Sequence, residues 1–88
     1  MKYKMKYKIE IAPLLDYYVI AAKDKETGKL VETFTLNESG TDMLRLFCQD
    51  KDVATIAQEI AEMYDAPLEL ITKDVSTFAE QLQDKGLI

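Results

Sequence analysis

Between Asn37 and Ile88 apolar residues recur at helical spacing in three successive runs, each set off by residues that start or stop a helix. In the first run Gly40, Met43, Leu44 and Phe47 fall at i, i+3, i+4 and i+7, so they share one face. Asn37 precedes it as an N-cap, and Glu38 suits the positive end of the helix dipole. Gly40 costs helix propensity unless the backbone packs closely there. Asp50-Lys51-Asp52 interrupts the pattern, and Asp52 caps a second run through Val53, Ile56, Ala57, Ile60, Ala61 and Tyr64. Asp65-Ala66-Pro67 interrupts it again. A third helix is expected to start at Leu70 or Thr72, with Asp74 in its first turn and Ile71, Val75, Phe78, Ala79 and Leu82 facing inward. Gly86 then fits the C′ position, with Leu87 folding back on the last turn.

Strand signals occupy the part before Asn37. Lys2 to Ile11 alternates strictly: Tyr3, Met5, Tyr7, Ile9 and Ile11 on one face, four lysines and Glu10 on the other. Pro13 is expected to end this strand. The lysine row protects an edge from aggregation or, alternatively, offers a basic surface to an acidic partner. A second strand, Tyr17 to Ala22, has no clean alternation, which suits a central strand covered on both sides. A polar turn with Gly28 at a positive φ leads into a third strand, Leu30 to Leu36, antiparallel to the second. On that strand Leu30, Phe34 and Leu36 share a face with Glu32, and Val31, Thr33 and Thr35 form the other. The expected class is α+β: one domain over residues 1–88, a three-stranded antiparallel sheet followed by three α-helices, in a winged helix-turn-helix-like layout. Residues 1–15 form a strand or arm.

Composition narrows the function. There is no His, and the single Cys48 has no histidine to activate it. Gly28, Gly40 and Gly86 are too scattered for a phosphate-cradling loop, and the carboxylates fall at helix starts and on polar faces. The chain is therefore expected to be no enzyme on its own and to carry no cofactor or metal. No apolar run approaches the ~20 residues that cross a bilayer. The basic start lacks the apolar stretch of a secretory signal, and one cysteine fits a reducing compartment, so a cytoplasmic location without membrane contact is expected.

The winged helix layout usually suggests DNA, and the charges oppose it. Residues 1–36 hold seven Lys and five acids, whereas residues 37–88 hold Arg45, Lys51, Lys73 and Lys85 against eleven acids. A third helix with Asp74, Glu80 and Asp84 would repel a phosphate backbone, so no nucleic-acid partner is expected. What remains is the third strand, an edge without proline or lysine inside it. Such an edge accepts an extended peptide by main-chain hydrogen bonding, pairs with a second copy to give a homodimer, or stays bare. The residues alone leave these open; a self-associating structural or regulatory protein and, less favoured, a DNA-binding regulator remain the alternatives.

Leu36-Asn37-Glu38-Ser39-Gly40 followed by Met43-Leu44 resembles the opening signature of the PqqD-like family. The likeness continues through Ile56-Ala57, Ile60, Tyr64, Lys73-Asp74-Val75, Phe78 and Leu82 to Lys85-Gly86-Leu87-Ile88, and covers residues 16–88. The resemblance implies three strands before three helices and a role beside pyrroloquinoline quinone (PQQ) biosynthesis or, more broadly, a recognition domain for ribosomally made, post-translationally modified peptides. Such a domain acts as a peptide chaperone. It binds the leader of a precursor peptide and presents the core to a modifying enzyme, often a radical S-adenosylmethionine (SAM) protein. The leader adds a strand beside the third strand and packs on the third helix. Carried over, the contacts fall on Leu30, Val31, Thr33, Phe34 and Thr35 of the strand and on Asp74, Phe78 and Gln81 of the helix.

Overall fold

The computed structural model of the protein describes residues 4–88. Its elements are β1 (Lys8–Leu14), β2 (Tyr17–Lys23), β3 (Leu30–Leu36), α1 (Glu38–Phe47), α2 (Val53–Tyr64) and α3 (Leu68–Asp84). The α+β class and the element order agree with the sequence reading. The strands form an antiparallel sheet in the order β1-β2-β3, so β1 and β3 are its edges.

The first strand is displaced from its expected place. It begins at Lys8 and runs through Pro13, which pairs with Tyr18, instead of stopping there. An edge strand tolerates proline because an N–H that faces away from the sheet has no ladder bond to lose. Residues 4–7 lie outside the strand, so Lys4 and Lys6 are not edge guards; Lys2 and Tyr3 lie outside the described residues. Instead, Lys6 N–H donates to the Leu87 carbonyl at 2.8 Å, the Lys25 ammonium donates to the Met5 carbonyl at 3.0 Å, and the Met5 side chain is buried. The lysine alternation therefore belongs partly to an arm that crosses the C-terminus. Leu15 and Asp16 make the tight β1–β2 connection, with Leu15 at φ 56 and almost fully exposed.

Strand β2 is central, but it is fully buried on one face only. Ile20 and Ala22 are inaccessible, while Val19 and Ala21 remain half-buried on the other face. The β2–β3 turn is held by Asp24, whose carboxylate accepts from the N–H groups of Thr27 and Glu26 at 2.9 Å each, with Gly28 at φ +72. Those bonds, Thr27 first, hold the Asp24 pKa below the usual carboxylate value.

The helix ends behave as their residues dictate. Asn37 Oδ1 accepts from Gly40 N–H at 2.8 Å, and Asp52 Oδ1 from Thr55 N–H at 2.8 Å. A Cβ on residue 40 would stand 3.1 Å from Asn37 Oδ1 and 3.4 Å from Leu36 Cδ2, which is why glycine sits there. At the other end Gly86 (φ +75) donates to Gln83 O and Leu87 to Leu82 O, both at 2.9 Å, a Schellman closure that buries Leu87 completely. Helix α3 begins at Leu68, before the expected Leu70 or Thr72, because Pro67 serves as its N-cap, its carbonyl accepting from Ile71 N–H. Asp74 consequently sits in the second turn, and Glu69 takes the first-turn position.

One core joins sheet and helices. Ile20, Leu44, Phe47, Ile56, Val75 and Leu82 are all buried at its centre, and the rings of Phe47 and Phe78 lie 6.0 Å apart. Of the helices, α1 comes closest to the sheet, against β2 and β3, and α3 packs chiefly on α2.

Candidate functional site

Strand β3 pairs with β2 on one side and is open on the other. In the ladder Phe34 stands opposite Ile20, Glu32 opposite Ala22 and Leu36 opposite Tyr18. Residues directly opposite share a face, so Glu32, Phe34 and Leu36 look inward with the buried Ile20 and Ala22. Thr33 and Thr35 look outward and are exposed. A register shift opposite Ala22/Lys23 places an extra residue at Val31, and both Leu30 and Val31 are more than half exposed, at 58% and 52%.

No Cα of β3 lies within 8 Å of a Cα of α3. The interval between them is bridged near its two ends. At one end Lys85, just past α3, holds its ammonium 3.6 Å from Glu32 Oε1 and 4.7 Å from the centre of the Phe34 ring. At the other end Asn37, just past β3, lines a cavity of about 270 Å³ with residues of α3. The start of β3 thus meets the end of α3, and the residue after β3 meets the middle of α3. Strand and helix therefore run roughly antiparallel.

Asp74, Phe78 and Gln81, three of the expected site residues, line that cavity together. Their spacing puts them on one stripe of α3, the edge between its buried and wet faces. Phe78 serves both purposes: it is 7% exposed, part of the core and part of the cavity floor with Met43. Leu30, Val31, Thr33, Phe34 and Thr35 belong to the edge strand and do not line the cavity, so the structure does not bring the two sets together in one pocket. Sequence reasoning missed Lys73 and Thr77, which complete the α3 stripe and were legible from the same spacing, and Ser39, which lines the cavity from the first turn of α1. It also missed the Lys85 bridge, for which no local pattern exists.

Other chemistry-bearing groups are quiet. Cys48 is the C-cap of α1, exposed as a residue, and desolvation of its sulfur together with the Asp50 carboxylate raises the thiol pKa, which disfavours the thiolate. Tyr64 donates its hydroxyl to Asp42, and that bond, followed by desolvation, raises its pKa to about 12. Among the described residues no group of His, Cys, Asp and Glu could hold a metal ion, and no helix is long and apolar enough to cross a membrane.

A family model described as coenzyme PQQ synthesis protein D (PqqD) matches residues 23–88, which span β3 and all three helices. The chain belongs to the PqqD family. The match begins at the last residue of β2, so the arm, β1 and the rest of β2 lie outside the matched range. A search of curated proteins gives no match for this PqqD-family chain. Among solved structures it is similar to TbiB1 in complex with the TbiA(beta) leader peptide, with a TM-score of 0.70 and 22% identity over 97% of this chain and 93% of that one. It is also similar to a lasso peptide synthetase B1 complexed with the leader peptide, with a TM-score of 0.67 and 18% identity over 94% of this chain and 92% of that one. At these identities the likeness shows the fold, and it includes β1.

Proposed function

We propose that this protein captures the leader of a ribosomally made precursor peptide as an extra strand on β3 and holds it against α3. The observation that carries this reading is the open edge of β3, with no Cα of α3 within 8 Å of it and a cavity on α3 beside the strand's last residues. Membership of the PqqD family supports it, as do the two similar structures, each of which is a complex with a leader peptide. Main-chain hydrogen bonds to Val31, Thr33 and Thr35 supply affinity. Side chains reaching Phe34 on the strand and Asp74, Phe78 and Gln81 on α3 supply selectivity. Ordering a flexible leader costs entropy, so binding of about micromolar strength, near −8 kcal/mol, is expected.

The protein itself performs no chemistry in this reading. It raises the local concentration of precursor at a cytoplasmic modifying enzyme, of which a radical SAM protein is the type the family resemblance suggests. A homodimer through the same edge would compete with the leader for β3.

The test is amide hydrogen exchange of the labelled protein with synthetic peptides taken from short reading frames adjacent to its gene. New protection confined to the outward-facing amides of β3 is the expected result. Protection on β1, or peptide binding without any change on β3, would overturn the docking mode. Sedimentation in parallel reports whether free protein pairs with itself and whether peptide dissolves the pair.

A further inference from the structure

Glu32 is a carboxylate on the inner face of the sheet, opposite the fully buried Ala22. Its Oε2 is buried and has no hydrogen-bond partner. Its Oε1 has a single loose counterion, Lys85 at 3.6 Å, whose ammonium is shared with the Phe34 ring at 4.7 Å. The side chain as a whole is 34% exposed, so the sheltering is confined to this one oxygen, and a guest donor that reaches it supplies the partner that it lacks. From this arrangement we infer that Glu32 is a specificity residue that selects a lysine or arginine in the bound peptide.

The inference rests on the reading of β3 as a peptide-docking edge and adds the chemistry of one position to it. In any strand added to β3, the residue directly opposite Glu32 projects on the same face, with its Cβ about 5 Å from that of Glu32. An acidic residue there would meet a like charge, and an apolar one would leave Oε2 unpaired. An arginine or lysine reaches both oxygens, and arginine does so with two parallel donors. The residue two positions away on the guest falls opposite Phe34, where an apolar side chain fits. The guest signature is thus one basic residue and one apolar residue separated by a single position. The surrounding field agrees: α3 carries Glu69, Asp74, Glu80 and Asp84 against Lys73 alone. Lys85 is the incumbent that a guest cation displaces toward solvent.

A displayed library of random peptides selected separately on the wild-type protein and on Glu32→Gln tests this. Circular dichroism first verifies that the variant is folded, and chemical shifts of labelled protein map where recovered peptides sit. Peptides on β3 with lysine or arginine enriched at one position for the wild type, and no such enrichment for Glu32→Gln, are expected. For one recovered peptide, replacing that basic residue by glutamine should weaken wild-type binding about tenfold or more, and binding to Glu32→Gln less than about twofold. Peptides that map to β3 without a basic preference, or with one that survives in Glu32→Gln, overturn the inference and leave the docking mode standing. Recovery of no peptide that maps to β3 overturns both.

Discussion

Lys6 and Leu87 are joined by a main-chain hydrogen bond of 2.8 Å, which ties the arm before β1 to the end of the chain. Both sides of this junction are packed: Met5 is 7% exposed and Leu87 is 0% exposed. The arm therefore closes the underside of the core that the Schellman turn after α3 leaves beside it. Met5→Ala should cost about 2 kcal/mol and Leu87→Ala about 3 kcal/mol, within the usual range for truncating buried aliphatic side chains. Urea unfolding of the two variants checks this. A loss below about 0.5 kcal/mol for Met5→Ala would show that the arm is not part of the folded unit.

Asp65 ends α2 in the left-handed region, at φ 51 and ψ 50, while Ala66 N–H closes back on Ala61 O at 3.0 Å. A β-carbon is unfavourable in that conformation, and a negative charge is unfavourable at a helix C-terminus. Asp65→Gly should raise stability by about 1 kcal/mol and Asp65→Asn by about half as much. Thermal melting of the three proteins at neutral pH gives the order. A lower melting temperature for the glycine variant would contradict it.

Asn37, Asp52 and Gly86 announced their helix ends because each acts through its own side chain or its own φ, and the stripes from Met43 to Leu82 followed from spacing alone. The β1 boundary is not legible from alternation, because alternation persists through residues 4–7, where Met5 is buried outside the sheet. Pro13 signals a strand end in sequence, yet at a sheet edge an N–H that faces outward is not missed, and the strand continues through it. Half of the candidate site was visible as a stripe on α3. The distance between β3 and α3 is not legible in the same way, because it depends on how α3 packs on α2, and the Glu32–Lys85 pairing joins residues far apart in the chain.

Asn37 serves structure and site at once. Its Oδ1 accepts from Gly40 N–H at 2.8 Å and from Ser39 Oγ at 3.2 Å, and the residue lines the cavity. Asn37→Ala should lower stability by about 1 kcal/mol through the lost cap. Asn37→Asp and Asn37→Ser, which keep an acceptor, should retain most of it. Denaturant midpoints measure the difference. Equal stability of the alanine and serine variants would mean that the cap contributes nothing.

Tyr64 should titrate late. Its bond to Asp42, then desolvation, favours the protonated phenol in the folded protein and lifts its pKa from 10 to about 12. A raised folded pKa gives a contribution to stability that is complete below pH 10 and is lost as pH climbs through about 12. Absorbance at a phenolate wavelength should show a tyrosine ionisation step near pH 12. Asp42→Ala should move that step down toward pH 10. A late tyrosine that persists in Asp42→Ala would assign the shift to another group.

The open edge of β3 can be tested one N–H at a time. In an antiparallel pair the backbone groups of successive residues alternate between the neighbouring strand and the open side. Thr33 and Phe34 therefore fall in opposite classes, one bonded to β2 and one available to a guest. Replacing the amide N–H of either residue by an ester oxygen removes the donor and keeps both side chains. Cys48 makes this practical, since a fragment ending at Phe47 can be ligated to one beginning at Cys48. One ester should lower stability by about 1 kcal/mol and leave peptide affinity nearly unchanged. The other should leave stability unchanged and weaken peptide binding about fivefold, the equivalent of one lost hydrogen bond. Fluorescence anisotropy with a labelled leader and urea unfolding supply the two readouts. If both esters spare affinity, the guest does not hydrogen-bond to the centre of β3, and the peptide must be held by its side chains alone.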